Sequence, residues 1–250
     1  MALSLQYDEA KVIRDYFGRR PRTGANGGSG VIVDVGAQFG TSFRDYLSDG
    51  WRALAFEPDA TKFDKLAKYE GRPNFTLLKV AVGDVPRDGI PFFTSPESTG
   101  ISSLVAFRDS HAEAQKVRVV TLADTLREQG IRSIDFLKID TEGFDLQVLR
   151  GHDWSIRPEV ILTEFDEIKT RHLGHTYRAI GDLLLSHGYA VWCSEWAPIE
   201  RYGAGHAWRA VTPYPCDLHH PDGWGNFVAV RSDAGVELMR ELLAPHTNPA

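Results

Sequence analysis

Three ionisable residues alternate in the segment Asp135-Phe136-Leu137-Lys138-Ile139-Asp140-Thr141-Glu142-Gly143-Phe144: Lys138, Asp140 and Glu142. Period two puts such side chains on one face of a strand for as long as the strand lasts. A lysine inside a buried strand must be paired or shifted in pKa, and Asp34, Asp140 and Glu164 are its candidate partners. A carboxylate at a strand end can orient or deprotonate a hydroxyl, so Asp140 or Glu164 is expected in that role. Lys138 is expected to steady the acidic group rather than to act as a base, because buried pairs often organise without reacting.

Three further segments could form a binding site. The first is Asp34-Val35-Gly36-Ala37-Gln38-Phe39-Gly40-Thr41. Gly36 permits a tight turn and Gly40 a close approach to the next helix. Backbone N–H groups at the start of that helix suit an anionic group, and Asp34 suits an ammonium on the same ligand. The second is Glu57-Pro58-Asp59, where an acid at a strand end can accept both hydroxyls of a ribose. The third is Ala81-Val82-Gly83-Asp84, whose backbone and Asp84 could read an adenine edge. The turn is not G-x-G-x-x-G, because Gln38 occupies a position where that pattern needs glycine. That weighs against a dinucleotide pyrophosphate and hence against an NAD dehydrogenase.

Strand tips must converge for these groups to meet, and the rest of the chain reads accordingly. VIVDVG (31–36), RALAFEP (52–58), FTLLKVAV (75–82), IDFLKID (134–140), EVILTEF (159–165), YAVWCSEW (189–196) and GNFVAVR (225–231) are short, apolar, β-branched runs of the kind buried strands show. Helical stripes separate most of them: Phe43, Tyr46 and Leu47; Phe63 and Leu66 behind a capping Asp59; a helix opened by Thr121; Phe144 and Val148; Ile180, Leu183 and Leu184; Val236 and Met239. An N-terminal helix carries Val12, Ile13, Tyr16 and Phe17, and residues 18–30 read as a loop. Residues 84–116 are less regular, with a short edge strand expected at 91–95, a polar loop at 95–103 and a strand at 117–122. The alternation implies one α/β domain over 1–250: a doubly wound, mainly parallel, Rossmann-like sheet of seven strands. Residues 197–224, rich in Pro, Gly, Trp and Tyr, are expected to form a cover loop.

The composition of the 250 residues, 42% apolar and 25% charged, is that of an ordinary globular chain. A net charge of −6 leaves no basic surplus for a phosphate backbone, so nucleic acid is not the expected partner. No run reaches the length of a membrane span, and Cys193 and Cys216 lack metal-type spacing, so a cytoplasmic protein with reduced cysteines and no metal is expected.

The chain resembles the FkbM-type methyltransferases. The matching pieces are VIVDVGAQFG, LAFEPD, the VAVGD turn, ISSL, VVTLADTL and, most specifically, IDFLKIDTEGFDLQVLRG; together they run from about residue 31 to 165. The resemblance implies a class I fold that binds S-adenosyl-L-methionine (SAM) and usually O-methylation of a sugar or polyketide hydroxyl. By it, Asp34, Gly36, Gly40, Glu57 and Asp140 belong to the cofactor site. The reading of the turns adds Ala37, Gln38, Phe39, Pro58, Ala81, Val82, Asp84 and Ser103, the last in a loop that could close over the cofactor with Ser102. Gln38 departs from the asparagine the family often has. The acceptor, a small molecule or glycan, is not specified, because everything after about residue 166 matches only loosely.

Other groups admit two readings each. His172 and His175 near Asp166, and His219-His220 near Asp217 and Asp222, read as polar loops or as ion or acceptor contacts. Trp192, Trp196, Trp208, Trp224, Tyr202 and Tyr214 could stack on sugar rings or pack the cover loop. Methylation of nitrogen or a carboxylate, and a scaffold without catalysis, are the alternatives to O-methylation.

Overall fold

The computed structural model describes residues 7–20, 30–201 and 205–247. Most of the expected loop at 18–30, and Tyr202, lie outside the described residues. The chain runs α1 (Glu9–Arg19), β1 (Val31–Val35), α2 (Arg44–Ser48), β2 (Arg52–Phe56), α3 (Phe63–Leu66), β3 (Phe75–Leu78), β4 (Ala81–Val82), β5 (Arg87–Ser95), β6 (Ser98–Ser103), β7 (Ala112–Val120), α4 (Leu122–Glu128), β8 (Phe136–Ile139), α5 (Asp145–Arg150), β9 (Val160–Asp166), α6 (Glu167–Arg171), α7 (Tyr177–Ser186), β10 (Ala190–Trp196), β11 (Trp208–Pro213), β12 (Trp224–Val230) and α8 (Asp233–Leu243).

Eight strands form the main sheet in the order β11-β10-β12-β9-β8-β1-β2-β3. From β9 to β3 every pairing is parallel, and β12, β10 and β11 add antiparallel pairings at the other end. Period two along each strand sorts the core into two layers. One face carries Ile32, Ala53, Phe136, Leu162 and Val228 against Ile13, Tyr16 and Phe17 of α1, Tyr46 of α2 and Met239 of α8. The other carries Val33, Leu54, Leu137, Ile161 and Phe227 against Leu122 and Leu126 of α4, Leu149 of α5 and Ile180 of α7. Helices therefore cover both faces, and the sheet is doubly wound. Thr121 caps α4, its Oγ1 accepting from the Asp124 N–H at 3.1 Å, as its position implied.

Three expectations change. The sheet has eight strands rather than seven, because residues 208–213 of the expected cover loop form the edge strand β11. The run 75–82 splits into β3 in the main sheet and β4 in a second sheet. The polar loop expected at 95–103 contains β6, and 91–95 is the end of a nine-residue strand. Strands β4, β7, β5 and β6 make a four-stranded sheet. The signal was weak because β5 and β7 bury only two of their nine residues each, and Gly89 and Pro91 interrupt the alternation.

Candidate active site

A cleft of about 270 Å³ opens at the carboxyl ends of β1, β2 and β8, where β4 also contributes. Open parallel sheets present ligand sites there. The small sheet forms its outer wall through Phe92, Thr99, Gly100, Ser102 and Leu104. The wall is tied to the tip of β2: Ser102 Oγ donates to Asp59 Oδ2 (2.9 Å), and Lys62 Nζ donates to the Thr99 carbonyl (2.8 Å). On the far side Ser103 Oγ donates to the Glu142 carbonyl at 2.8 Å.

The turn after β1 passes very close to the β8 turn. A Cβ on Gly36, whose φ is +86°, would sit 1.9 Å from the Asp140 carbonyl, so only glycine fits. Gln38 is also left-handed, with φ +47°. Asparagine tolerates that region better than most residues, which gives the family's common asparagine a physical reason. The strain at Gln38 aims its backbone N–H at Glu57 Oε2 (2.7 Å), while the Asp59 N–H donates to Glu57 Oε1 (2.8 Å). Each carboxylate oxygen retains a lone pair for a ligand. Burial pushes Glu57 up to about 7, with those two N–H donors opposing.

Glycine-turn residues Gly36, Ala37 and Gln38 line the cleft, as do Glu57, Pro58, Ala81, Val82, Lys138 and Asp140. Asp34, Phe39, Gly40, Asp84, Ser103 and Glu164 do not. Asp34 lies beneath the cleft, 1% exposed, with Lys138 Nζ 3.5 Å away. Burial raises its pKa to about 6 against the pull of Lys138. Phe39 lies under the Lys62 ammonium, 5.0 Å from its ring centre. Gly40 packs against the rings of Phe43 and Tyr69. Asp84 turns outward to Arg87 (3.4 Å). Ser103 holds the Glu142 backbone. Glu164 is buried and accepts from Lys169 Nζ at 3.0 Å through both oxygens.

The alternation at Lys138 ends sooner than the sequence implied, because β8 stops at Ile139. Lys138 Nζ meets Asp140 at 3.4 Å and donates to the Gly36 carbonyl at 3.3 Å. Burial works against its charge, but Asp140 and Asp34 outweigh that and hold it protonated. Glu142 departs from the strand: its φ of +57° carries it to Lys169, 2.5 Å away. Lys169, 1% exposed, also lies 3.4 Å from Asp166. Burial pushes Glu142 up to about 7, with Lys169 pulling down and Asp140 pushing up. Burial likewise raises Glu164 well above its ordinary value. Carboxylate oxygens of Asp140, Glu142 and Glu164 come within 4.8 Å of one another. The Lys169 ammonium is the cation that Glu142 and Glu164 share.

Lys169, and the fact that the segment carrying Ser102 and Ser103 is a sheet strand rather than a loop, are what sequence reasoning missed. A faint signal for the lysine existed: Asp166 caps α6, so a residue three positions on falls beside it. The aromatic residues of the last third pack the sheet edge instead of the cleft; Trp196 stacks on Trp224, Trp208 on Tyr7, and Tyr214 donates to Asp182. His219 pairs with Glu195 at 2.6 Å, and Asp166 is taken up by the α6 cap and Lys169 rather than by His172 or His175.

The model of the family described as the methyltransferase FkbM domain matches residues 34–191. The chain belongs to the FkbM methyltransferase family. This FkbM domain is 26% identical to the AMB antimetabolite synthetase AmbE of Pseudomonas aeruginosa, over 74% of the chain but only 11% of that much longer relative. Among solved structures it is similar to methyltransferase FkbM from Methylobacillus flagellatus KT, with 16% identity, a TM-score of 0.47, and 81% of this chain and 43% of that one covered. It is also similar to precorrin-6y C5,15-methyltransferase from Geobacter metallireducens GS-15, with 15% identity, a TM-score of 0.42, and 92% and 94% covered. The family match spans the β1 turn, the Glu57 tip, the small sheet and both lysine clusters. Among the described residues no helix is long and apolar enough to cross a membrane.

Proposed function

We propose that the protein is a SAM-dependent methyltransferase that methylates a hydroxyl of a sugar, glycan or secondary metabolite. One observation carries this reading: the Gly36 turn, Glu57 and Asp140 line a single cleft together with a set of apolar side chains. That set fits the cofactor part by part. Val80, Ala81, Val82, Phe92, Leu104 and Phe144 would enclose the adenine, and Glu57 would accept the ribose hydroxyls. The Gly36–Gln38 turn and Asp140 would hold the amino-acid end. Asp34, Asp140, Glu142, Asp145, Glu164 and Asp166 outnumber Lys138 and Lys169 around the β8 tip, so a ligand with a positive centre is favoured there. Bound SAM supplies an electrophilic methyl group.

The protein's own contribution is alignment and exclusion of water. Orientation can supply about 7–11 kcal/mol, whereas a general base adds about 10²–10⁴-fold. Asp140 lines the cleft and Glu164 does not, so Asp140 is the carboxylate that orients the acceptor in this reading. The net charge of −6 supports a small acceptor over nucleic acid. Thermal unfolding with SAM or S-adenosylhomocysteine tests the cofactor: a ligand at 100 times its Kd adds about 2.7 kcal/mol of stability. Transfer of tritium from methyl-labelled SAM to a panel of sugars and hydroxylated metabolites tests the acceptor. If neither compound shifts the transition, the reading is wrong.

A further inference from the structure

We propose that Glu142 is the carboxylate that receives the acceptor's proton, and that Lys169, held between Glu142 and Glu164, is the positioning residue that fixes it at the cleft. The proposal rests on the SAM-dependent reading above.

Three carboxylates crowd the tip of β8, but they are not equivalent. Asp140 lines the cleft, yet Lys138 lies 3.4 Å away and Asp140 is two-fifths exposed, so water and a lysine already satisfy its charge. Glu164 is buried behind the cleft with both oxygens on Lys169. Only Glu142 both lines the cleft and touches Lys169.

The backbone is clamped to keep it there. Glu142 is held left-handed, a conformation that costs a non-glycine residue about 1–2 kcal/mol. Ser103 grips its carbonyl, and the N–H groups of Thr141 and Gly143 donate to Asp145. Gly143 lies so close to Lys169 that a Cβ would come within 2.9 Å of the lysine's own.

Every charged element around Glu142 bears on its proton. Lys169 on α6 favours the ionised form; Asp140, Asp145 on α5, and Glu164 and Asp166 on β9 oppose it. A second positive charge in the cleft tips the balance toward the carboxylate, and its loss tips it back. In the reaction the acceptor oxygen bonds to the methyl carbon, the carbon–sulfur bond breaks with its pair left on sulfur, and the oxygen's proton passes to Glu142. One positive and one negative charge vanish together, so the desolvated site keeps its net charge.

Calorimetric titration of the whole protein in phosphate and in Tris, at pH 7, counts the protons exchanged on binding and needs no acceptor. SAM and S-adenosylhomocysteine share the ribose that faces Glu57, so that group contributes equally to both. SAM alone carries the positive sulfur. The expected result is release of up to about half a proton more with SAM than with S-adenosylhomocysteine, since a group titrating near 7 is half protonated at that pH. Glu142→Gln is expected to abolish the difference and to weaken SAM more than S-adenosylhomocysteine, because only SAM carries the charge that Glu142 answers. Lys169→Met is expected to move the pH of greatest release upward, and Lys169→Arg to leave it near 7. No difference in the wild type, or an equal difference in Glu142→Gln, overturns the proposal. Failure of either compound to bind overturns the reading beneath it, so the two failures are distinct.

Discussion

Two buried lysines sit at adjacent tips of the sheet, and they solve different problems. Lys138 is a strand residue facing two acids, Asp34 beneath it and Asp140 beside it. It also donates to the Gly36 carbonyl, so it bolts the β1 turn to the end of β8. Lys169 is a helix residue facing three acids, Glu142, Glu164 and Asp166, whose side chains are 18%, 9% and 5% exposed. In the first cluster Asp140 can hydrate its excess charge. In the second the excess is enclosed, and the cheapest outlet is a proton. The first cluster is thus suited to holding a shape and the second to exchanging charge.

Removing each lysine tests that difference most severely. Breaking a buried pair leaves an uncompensated charge and costs about 3–5 kcal/mol. Lys169→Met should incur that full cost at pH 8, because Glu164 and Asp166 are buried and Glu142 is only 18% exposed. Lys138→Met should cost less, because it strands one enclosed acid, Asp34, while Asp140 can be hydrated. Urea unfolding of both variants at pH 8 measures the gap. If Lys138→Met proves the more damaging, the contrast is reversed and Lys138 holds the enclosed cluster.

A smaller effect belongs to the wild type. Burial raises Asp34 and Asp145 to about 6 and Glu57 and Glu142 to about 7. Between pH 4 and 7 the folded protein therefore binds more protons than the unfolded chain. The stabilisation this gives is complete below about pH 4 and is lost as pH rises through 6 and 7. Asp59 and Glu159 are lowered and work oppositely in the acid range below their ordinary values. Burial lowers His152 to about 4 and also lowers His175 and His187, which opposes that loss up to about pH 6.5, but the raised acids outnumber these histidines. The Tm should fall steadily from pH 5 to pH 8. SAM should flatten that fall more than S-adenosylhomocysteine does. A Tm that rises over this interval would mean that the acids are ionised at little cost.

The first cluster was readable from the chain, and the second was not. Asp34 and Lys138 sit where period two would place apolar residues, on the same face as Ile32 and Phe136. A charge in that register announces itself locally. Lys169 becomes significant only because Asp166 ends β9 and caps α6, which swings the helix residue back over the strand tip. The pairing is a product of that corner, which no strand or helix period encodes. Glu142 was visible as an acid, but its left-handed turn broke the alternation that would have placed it beside Lys138. The outer wall escaped for another reason. Its strands face water on one side, so their sequence carries half a pattern interrupted by Gly89, Pro91 and Gly100.

Glu57 offers a third way to hold a buried carboxylate, and it sharpens the contrast at lower cost. Two backbone N–H groups, not a lysine ammonium, are its hydrogen-bond donors. The oxygens therefore keep capacity for hydroxyl donors instead of being saturated as in Glu164. A hydrogen bond to a charged group contributes about 1.5–3 kcal/mol. Glu57→Gln should accordingly weaken S-adenosylhomocysteine about 10- to 100-fold, with a much smaller loss of fold stability than in Lys169→Met. Calorimetric titration gives both affinities directly.

Asp84 should show the least effect of all, and the reason separates a strand tip in the main sheet from one outside it. The sequence put Asp84 at the end of a third strand, parallel in role to Asp34 and Glu57. The strand it follows, β4, pairs with β7 in the small sheet and not with β3. That change of partner turns the acid away from the cleft and toward Arg87. Such a pair near solvent contributes only about 0–1 kcal/mol, so Asp84→Asn should leave S-adenosylhomocysteine affinity within about twofold of wild type. A tenfold loss by calorimetry would return Asp84 to the adenine edge and require the small sheet to swing inward when ligand binds.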